Sequence, residues 1–322
     1  MANQLLETEN LHTNYTIYEG ILKVLNGVEI KLRKGEKLGL IGESGCGKTT
    51  TMRAIMRILA DNATIPRGRI LYEGKDVLKM SEREIQKIRR ENISMIFQDP
   101  TASLNPVFTI KDQLFDVIKF STNEKLTKEE ILERAIKVLK SVALPDPDRI
   151  LKNYPIMLSG GMRQRISIAM ALVSASDLLI ADEPGTNLDV TIQDQILRII
   201  GQLVEERGTS IILISHALGA VKGLVDKVNV MYAGNIIESA PTEDLFSGPI
   251  HPYTVGLFKT VPKLTGGGIP EAIPGRIPDY INPPPGCRFE PRCKQAMPIC
   301  RKELPNFRSV GGGHEVRCYL YE

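Results

Sequence analysis

Two short stretches of this sequence carry side chains suited to phosphate chemistry. Gly42-Glu43-Ser44-Gly45-Cys46-Gly47-Lys48-Thr49, followed by Thr50, fits the pattern G-x-x-x-x-G-K-[ST]. Glycines in such a loop let backbone N–H groups curl around phosphate oxygens, helped by the dipole of the helix that follows. Lys48 is then placed for β- and γ-phosphates, and Thr49 for Mg²⁺ through its hydroxyl. Cys46 occupies a variable position and is expected to be inert. Further on, the apolar run Leu178-Leu179-Ile180-Ala181 ends in Asp182-Glu183. There Asp182 would hold Mg²⁺ through water, and Glu183 would polarise an attacking water as general base. A glycine-rich turn with a chance lysine, or a pair of surface carboxylates, is the plain alternative for either stretch alone. Together they favour nucleotide hydrolysis by a wide margin.

A third stretch, Leu158-Ser159-Gly160-Gly161-Met162-Arg163-Gln164-Arg165, resembles the signature that sets ABC (ATP-binding cassette) ATPases apart from other P-loop proteins. Physically, Ser159 and the N–H groups of Gly160 and Gly161 at a helix start form a second anion cradle. The resemblance implies that this cradle serves ATP held on a partner's P-loop, so that two cassettes sandwich two nucleotides. It also assigns Gln98 in Phe-Gln-Asp-Pro as the Q-loop residue sensing Mg²⁺, and Asn187-Leu188-Asp189 as the D-loop. His216 becomes the switch histidine at the γ-phosphate. Each of these alone is worth little; their order carries the argument. Tyr15 is the residue expected to stack on adenine, with Tyr18 as its rival. Three positions depart from the family pattern, which usually has threonine at Gly185, alanine at Asn187 and aspartate at Ala217. None removes a phosphate ligand or the base.

These residues require particular supports. Lys37 to Gly42, Leu178 to Ala181 and Ile211 to Ile214 read as buried strands whose C-terminal ends deliver polar residues, the place where α/β sheets bind ligands. Between Phe108 and Ile150 the pattern is helical, with Thr127 and Glu130 as a capping box and Ile131, Leu132, Ala135, Ile136 and Leu139 along one face. The implied fold is an α/β P-loop NTPase cassette: a RecA-like mixed sheet core, an antiparallel β subdomain and a helical subdomain at about 104–165. The cassette is expected over 1–260, and a small irregular cysteine-rich domain over 261–322. Nine prolines and eight glycines in the 58 residues from Thr265 argue against much regular structure there. A net charge of +3 with 25% charged residues gives no strong nucleic-acid field. No apolar run reaches the ~18 residues that spanning a bilayer needs. A place at the cytoplasmic face of the membrane, through partner proteins, is therefore expected.

Two further stretches narrow the resemblance: Phe97-Gln-Asp-Pro-Thr-Ala-Ser-Leu-Asn-Pro106 and His251-Pro252-Tyr253-Thr254. Both are similar to the oligopeptide/dipeptide and nickel importer ATPases, as is Pro285-Gly286-Cys287-Arg288-Phe289-Glu290-Pro291-Arg292-Cys293. Four of the five cysteines, Cys287, Cys293, Cys300 and Cys318, lie in the last 36 residues. Their spacing matches neither a zinc ribbon nor a ferredoxin run, so spacing alone leaves the metal open. The resemblance implies a [4Fe–4S] cluster on these four thiolates, with zinc as the next choice and disulfides or free thiols the last; His314 is expected at the surface, with a ligand role the lesser option. It further implies a second ATPase subunit, two transmembrane permease subunits and, indirectly, an extracytoplasmic peptide-binding protein. A cassette acting on DNA or ribosomes is disfavoured by the single cassette and the lack of a basic block. A weakly hydrolysing regulatory cassette stays open.

Overall fold

The computed structural model describes residues 4–174, 177–186, 188–260 and 272–322. Two compact units share the chain, one of Met1–Arg33, Leu38–Lys79 and His216–Glu322, the other of Lys34–Lys37 and Met80–Ser215. In the first unit, β1 (Gln4–Ile17) and β2 (Gly20–Arg33) form a long antiparallel hairpin running from Gln4↔Arg33 to Ile17↔Gly20. Side-chain alternation turns Leu6, Leu11, Leu25, Val28, Ile30 and Leu32 inward, while Tyr18 stands fully exposed at the turn. The strand β3 (Lys37–Ile41), buried from Leu38 onward, feeds the glycine loop, from which α1 (Lys48–Ile55) departs. The short strands β4 (Ala63–Thr64) and β5 (Arg69–Tyr72) pair with β1, and β6 (Lys75–Asp76) pairs with β5. This is the expected antiparallel β subdomain.

The second unit opens with α2 (Glu82–Glu91), started by a Ser81–Glu84 capping box, and continues into β7 (Ile93–Ile96). Its helical part comprises α3 (Pro100–Ser103), α4 (Ile110–Phe120), α5 (Lys128–Ser141) and α6 (Pro147–Lys152). The Thr127–Glu130 box caps α5 as its sequence predicts, and Ile131, Ala135, Val138 and Leu139 are its buried face. Leu132 is exposed instead. Helix α7 (Gly160–Ser174) leads to β8 (Leu178–Asp182), and α8 (Val190–Arg207) to β9 (Ser210–Ile214). The strands β7, β8 and β9 lie parallel and in register. Every residue of β8 and β9 is buried, which is why both read as unbroken apolar runs rather than alternating ones.

Back in the first unit, α9 (Leu218–Leu224) precedes β10 (Lys227–Tyr232) and β11 (Asn235–Pro241), then α10 (Thr242–Ser247) and α11 (Pro252–Lys259). Strand β10 runs parallel to β3 and antiparallel to β11. The tail holds more order than its proline and glycine content suggests, because β12 (Arg308–Gly311) and β13 (His314–Val316) form a hairpin whose second strand pairs with β11. That pairing corrects the expectation for His314. Its side chain is buried and its Nε2 lies 2.8 Å from Oε1 of the fully buried Glu238, so the ring stabilises a β11 carboxylate rather than facing water. The other oxygen of Glu238 accepts the His251 N–H at 2.9 Å.

Candidate functional site

The nucleotide-site residues divide between the units. Gly42 to Thr50, Tyr15 and His216 belong to the first; Gln98, Ser159, Gly160, Gly161, Asp182, Glu183 and Asp189 belong to the second. In the loop, two glycines are fixed by contact. A Cβ on Gly42 would stand 2.1 Å from the Met231 carbonyl oxygen, and Gly47 has φ 109° with Leu25 Cδ2 2.8 Å from where a Cβ would be. Gly47 also occupies the N-cap position of α1. Lys48 is buried and its ammonium donates to the carbonyls of Gly42 at 2.8 Å and Glu43 at 3.0 Å. Ser44 and Gly45 are exposed, whereas Thr49 and Thr50 are half-buried. Cys46 is fully buried, and burial pushes its thiol up, with the neighbouring Lys48 opposing.

Glu43 turns its carboxylate to Arg292, which meets it with both terminal nitrogens at 2.8 and 3.1 Å. Its N–H donates to the Tyr253 hydroxyl at 2.8 Å. The Tyr280 hydroxyl donates to the Gly45 carbonyl, also at 2.8 Å. Arg292, Tyr253 and Tyr280 were not legible as P-loop supports, since they lie more than 200 positions from their partners. The available signal was the arginine beside Cys293, because an arginine in a packed turn needs a carboxylate. Tyr253 packs at a tilt against Tyr232 (ring centroids 4.6 Å) and edge-on against Phe289 (5.5 Å), which ties the His-Pro-Tyr stretch to the tail. His251 caps α11 through Nδ1, which accepts the Tyr253 N–H at 3.0 Å, and burial drives its ring down to about 3.

In the second unit, Asp182 ends β8 and is buried, and Glu183 follows at φ 48°. A positive φ is uncommon for a residue with a side chain. Here the Glu183 N–H donates to the Ile214 carbonyl at 3.0 Å, which holds the turn. Its Oε2 accepts from Gln98 Nε2 at 3.1 Å and Thr186 Oγ1 at 3.0 Å. Gln98 and Glu183 are thus joined directly, and Thr186 is a support the sequence did not mark. Ser159 stands before α7, where its Oγ accepts the Met162 N–H at 3.3 Å. Gly160 and Gly161 begin that helix, and Asp189 is the N-cap residue of α8.

Of the three departures, Asn187 lies outside the described residues. Gly185 faces Gln193, whose Cγ sits 2.4 Å from the place of a Cβ; that side chain must rotate to admit threonine. Ala217 occupies the N-cap position of α9 and offers no side-chain acceptor. Restoring a cap with Ala217→Asp should raise stability by about 1 kcal/mol, read as a higher midpoint in urea unfolding at an unchanged slope. His216 is exposed, and Tyr15 is half-buried in β1 opposite Leu22.

The four tail cysteines line one small cavity, together with His251 and Phe289. Gly286 makes this possible: a Cβ there would meet the Cys300 carbonyl oxygen at 2.2 Å, and the adjoining Cys287 N–H donates to that same oxygen at 2.8 Å. Burial raises the thiols of Cys287, to about 12, and of Cys293 and Cys318. Among the described residues, no three His, Cys, Asp or Glu side chains are grouped to hold one metal ion.

A glycine loop with its lysine and threonine, a strand-end carboxylate pair and a Ser-Gly-Gly helix start define an ATP-hydrolysing cassette, and the chain belongs to the ABC transporter ATP-binding family. The sequence profile described as ABC transporter matches residues 25–186, and that described as oligopeptide/dipeptide transporter, C-terminal region, matches 237–300. The dipeptide transport ATP-binding protein DppD of Bacillus subtilis is 43% identical over 99% of this chain and 95% of its own length. The oligopeptide transport ATP-binding protein OppD of Salmonella typhimurium is 44% identical over 94% of this chain and 90% of its own. Among solved structures, the dimeric post-hydrolysis cassette MJ0796 bound to ADP and Pi has a TM-score of 0.67 at 25% identity, covering 74% of this chain and 99% of its own. The cbiO1 protein of Clostridium perfringens, part of the cbiONQ transporter complex, has a TM-score of 0.63 at 28% identity, covering 80% and 95%. No helix of the described residues is long and apolar enough to cross a membrane.

Proposed function

We propose that this chain is the ATP-hydrolysing subunit of an importer of di- or oligopeptides. It would work at the cytoplasmic face of the membrane with a second cassette, two permease subunits and an extracytoplasmic peptide-binding protein. The observation that carries the peptide reading is the oligopeptide/dipeptide C-terminal region at 237–300, in a chain over 40% identical along nearly its full length to proteins named for peptide transport. Within it, residues 1–260 form the cassette and 261–322 the cysteine tail. Lys48 and the loop amides bind the β- and γ-phosphates, and Glu183, oriented by Gln98 and Thr186, takes the proton of the attacking water. Ser159, Gly160, Gly161 and Asp189 serve the nucleotide of the second cassette, and His216 meets the γ-phosphate. Tyr15 stacks on adenine; Tyr18, at the hairpin tip, has no packed surroundings to position it. Thr49, Gln98 and Asp182 present only oxygen ligands, the donor set of Mg²⁺, which would neutralise phosphate charge.

The four tail cysteines would hold a [4Fe–4S] cluster, as the resemblance of the tail suggests, with zinc as the alternative. Four thiols lining one cavity are a donor set that either an iron–sulfur cluster or zinc uses. Burial disfavours their thiolates unless a cationic centre compensates. A [4Fe–4S] cluster would supply that charge and tie the tail together. Protein purified without oxygen should yield about four iron and four acid-labile sulfide per chain; stoichiometric zinc in their place refutes the cluster. The transport reading is tested by reconstituting the complex in vesicles. Di- or tripeptides presented by the binding protein should stimulate ATP hydrolysis, and stimulation by Ni²⁺ alone would overturn the peptide assignment.

A further inference from the structure

We infer that Arg292 of the cysteine tail is a positioning residue for nucleotide binding, acting by neutralising and orienting Glu43 of the P-loop. The pair is bidentate at 2.8 and 3.1 Å, and the Arg292 side chain is only 5% exposed. The same guanidinium donates to the carbonyls of Pro274 at 2.9 Å and Ile273 at 3.1 Å, and to the Tyr232 hydroxyl at 3.2 Å. It is thus fixed in place by the tail before it meets the loop. Glu43 is 26% exposed and stands directly after Gly42, in the loop whose backbone receives phosphate.

Electrostatics gives the contact its consequence. A carboxylate inside a phosphate-binding loop opposes a triphosphate, and a buried guanidinium on it cancels that field. The fork holds the carboxylate in one orientation, and the Glu43 carbonyl accepts from Lys48 at 3.0 Å. Two further bonds tie the loop to the same packing: Tyr280 to the Gly45 carbonyl and the Glu43 N–H to Tyr253. Arg292 directly precedes Cys293, so the turn that offers a thiol to the cavity also carries the charge that serves the loop.

The inference rests on ATP occupying the P-loop, and its test separates the two. Mg²⁺ and a fluorescent ATP analogue are titrated into the full-length chain, wild type and Arg292→Gln, Glu43→Gln and the double variant. Thermal unfolding without nucleotide reports on folding. Arg292→Gln should raise Kd about tenfold by exposing the phosphates to an uncompensated carboxylate. Glu43→Gln alone should lose less affinity than Arg292→Gln, because it removes the carboxylate whose charge opposes the phosphates. The double variant should return to within about threefold of wild type, a rescue that a purely structural role for Arg292 does not give. Should Arg292→Gln not fold, Arg292→Lys takes its place: it keeps the charge but not the fork, and its Kd should fall between wild type and the tenfold loss. An unchanged Kd in Arg292→Gln, a double variant as weak as Arg292→Gln, or a tenfold loss in Arg292→Lys without rescue by Glu43→Gln overturns the inference. A wild-type chain that takes up no ATP overturns the ATP reading and the inference together.

Discussion

Glu183→Gln should leave ATP binding intact and lower the hydrolysis rate of the assembled cassettes by about 10²–10⁴-fold, the range a positioned general base supplies. The substitution preserves volume and leaves one carbonyl oxygen to accept from Gln98 and Thr186, which lie 3.1 and 3.0 Å from Oε2. The backbone bond to Ile214 is untouched, so the turn at φ 48° survives. What is lost is the capacity to take a proton from water. With hydrolysis blocked, two cassettes closed over ATP have no route to reopen, and a stable dimer should accumulate. Size-exclusion chromatography with Mg²⁺ and ATP, mixed with the partner cassette, reads this directly. Wild-type turnover in the variant would remove Glu183 from the role of base and leave the weakly hydrolysing reading as the stronger one.

Lys48→Ala should abolish ATP binding at any concentration below about 100 times the wild-type Kd. A charge-assisted hydrogen bond contributes about 1.5–3 kcal/mol, and two of them to phosphate oxygens account for a loss of 10² or more. The ammonium bridges the Gly42 and Glu43 carbonyls, and on nucleotide binding it would exchange carbonyl for phosphate oxygens. Isothermal titration with Mg-ATP measures the loss. Because those carbonyls can turn to water, the unfolding midpoint without nucleotide should move far less than the affinity does. A Kd within threefold of wild type would show that the loop amides alone hold the nucleotide.

Much of the cassette was legible because its signals are local. The run from Lys37 through Thr49 encodes strand, loop and helix start within a few residues, since glycine alone tolerates the Gly42 and Gly47 positions and a buried parallel strand must be apolar throughout. The capping box at Thr127 and the carboxylates ending β8 are local in the same way. Where the pattern was weak, the structure chose differently. Val138, not Leu132, completes the buried face of α5, because that face is set by what packs against it rather than by hydrophobicity alone.

By itself the sequence determined the order and chemistry of the nucleotide motifs, the strand ends that present them and the cysteines that belong together. Only the tertiary structure decided which distant groups meet them. It buried His314 on Glu238, turned the Glu43 carboxylate out to an arginine 249 positions away, and set Tyr253 and Tyr280 against the backbone of the phosphate loop. The reason is physical. Propensity, capping and glycine sterics act over a turn or two of chain, whereas the pairing of a buried charge depends on which segment the packed core brings alongside it. No spacing rule in the sequence carries that information.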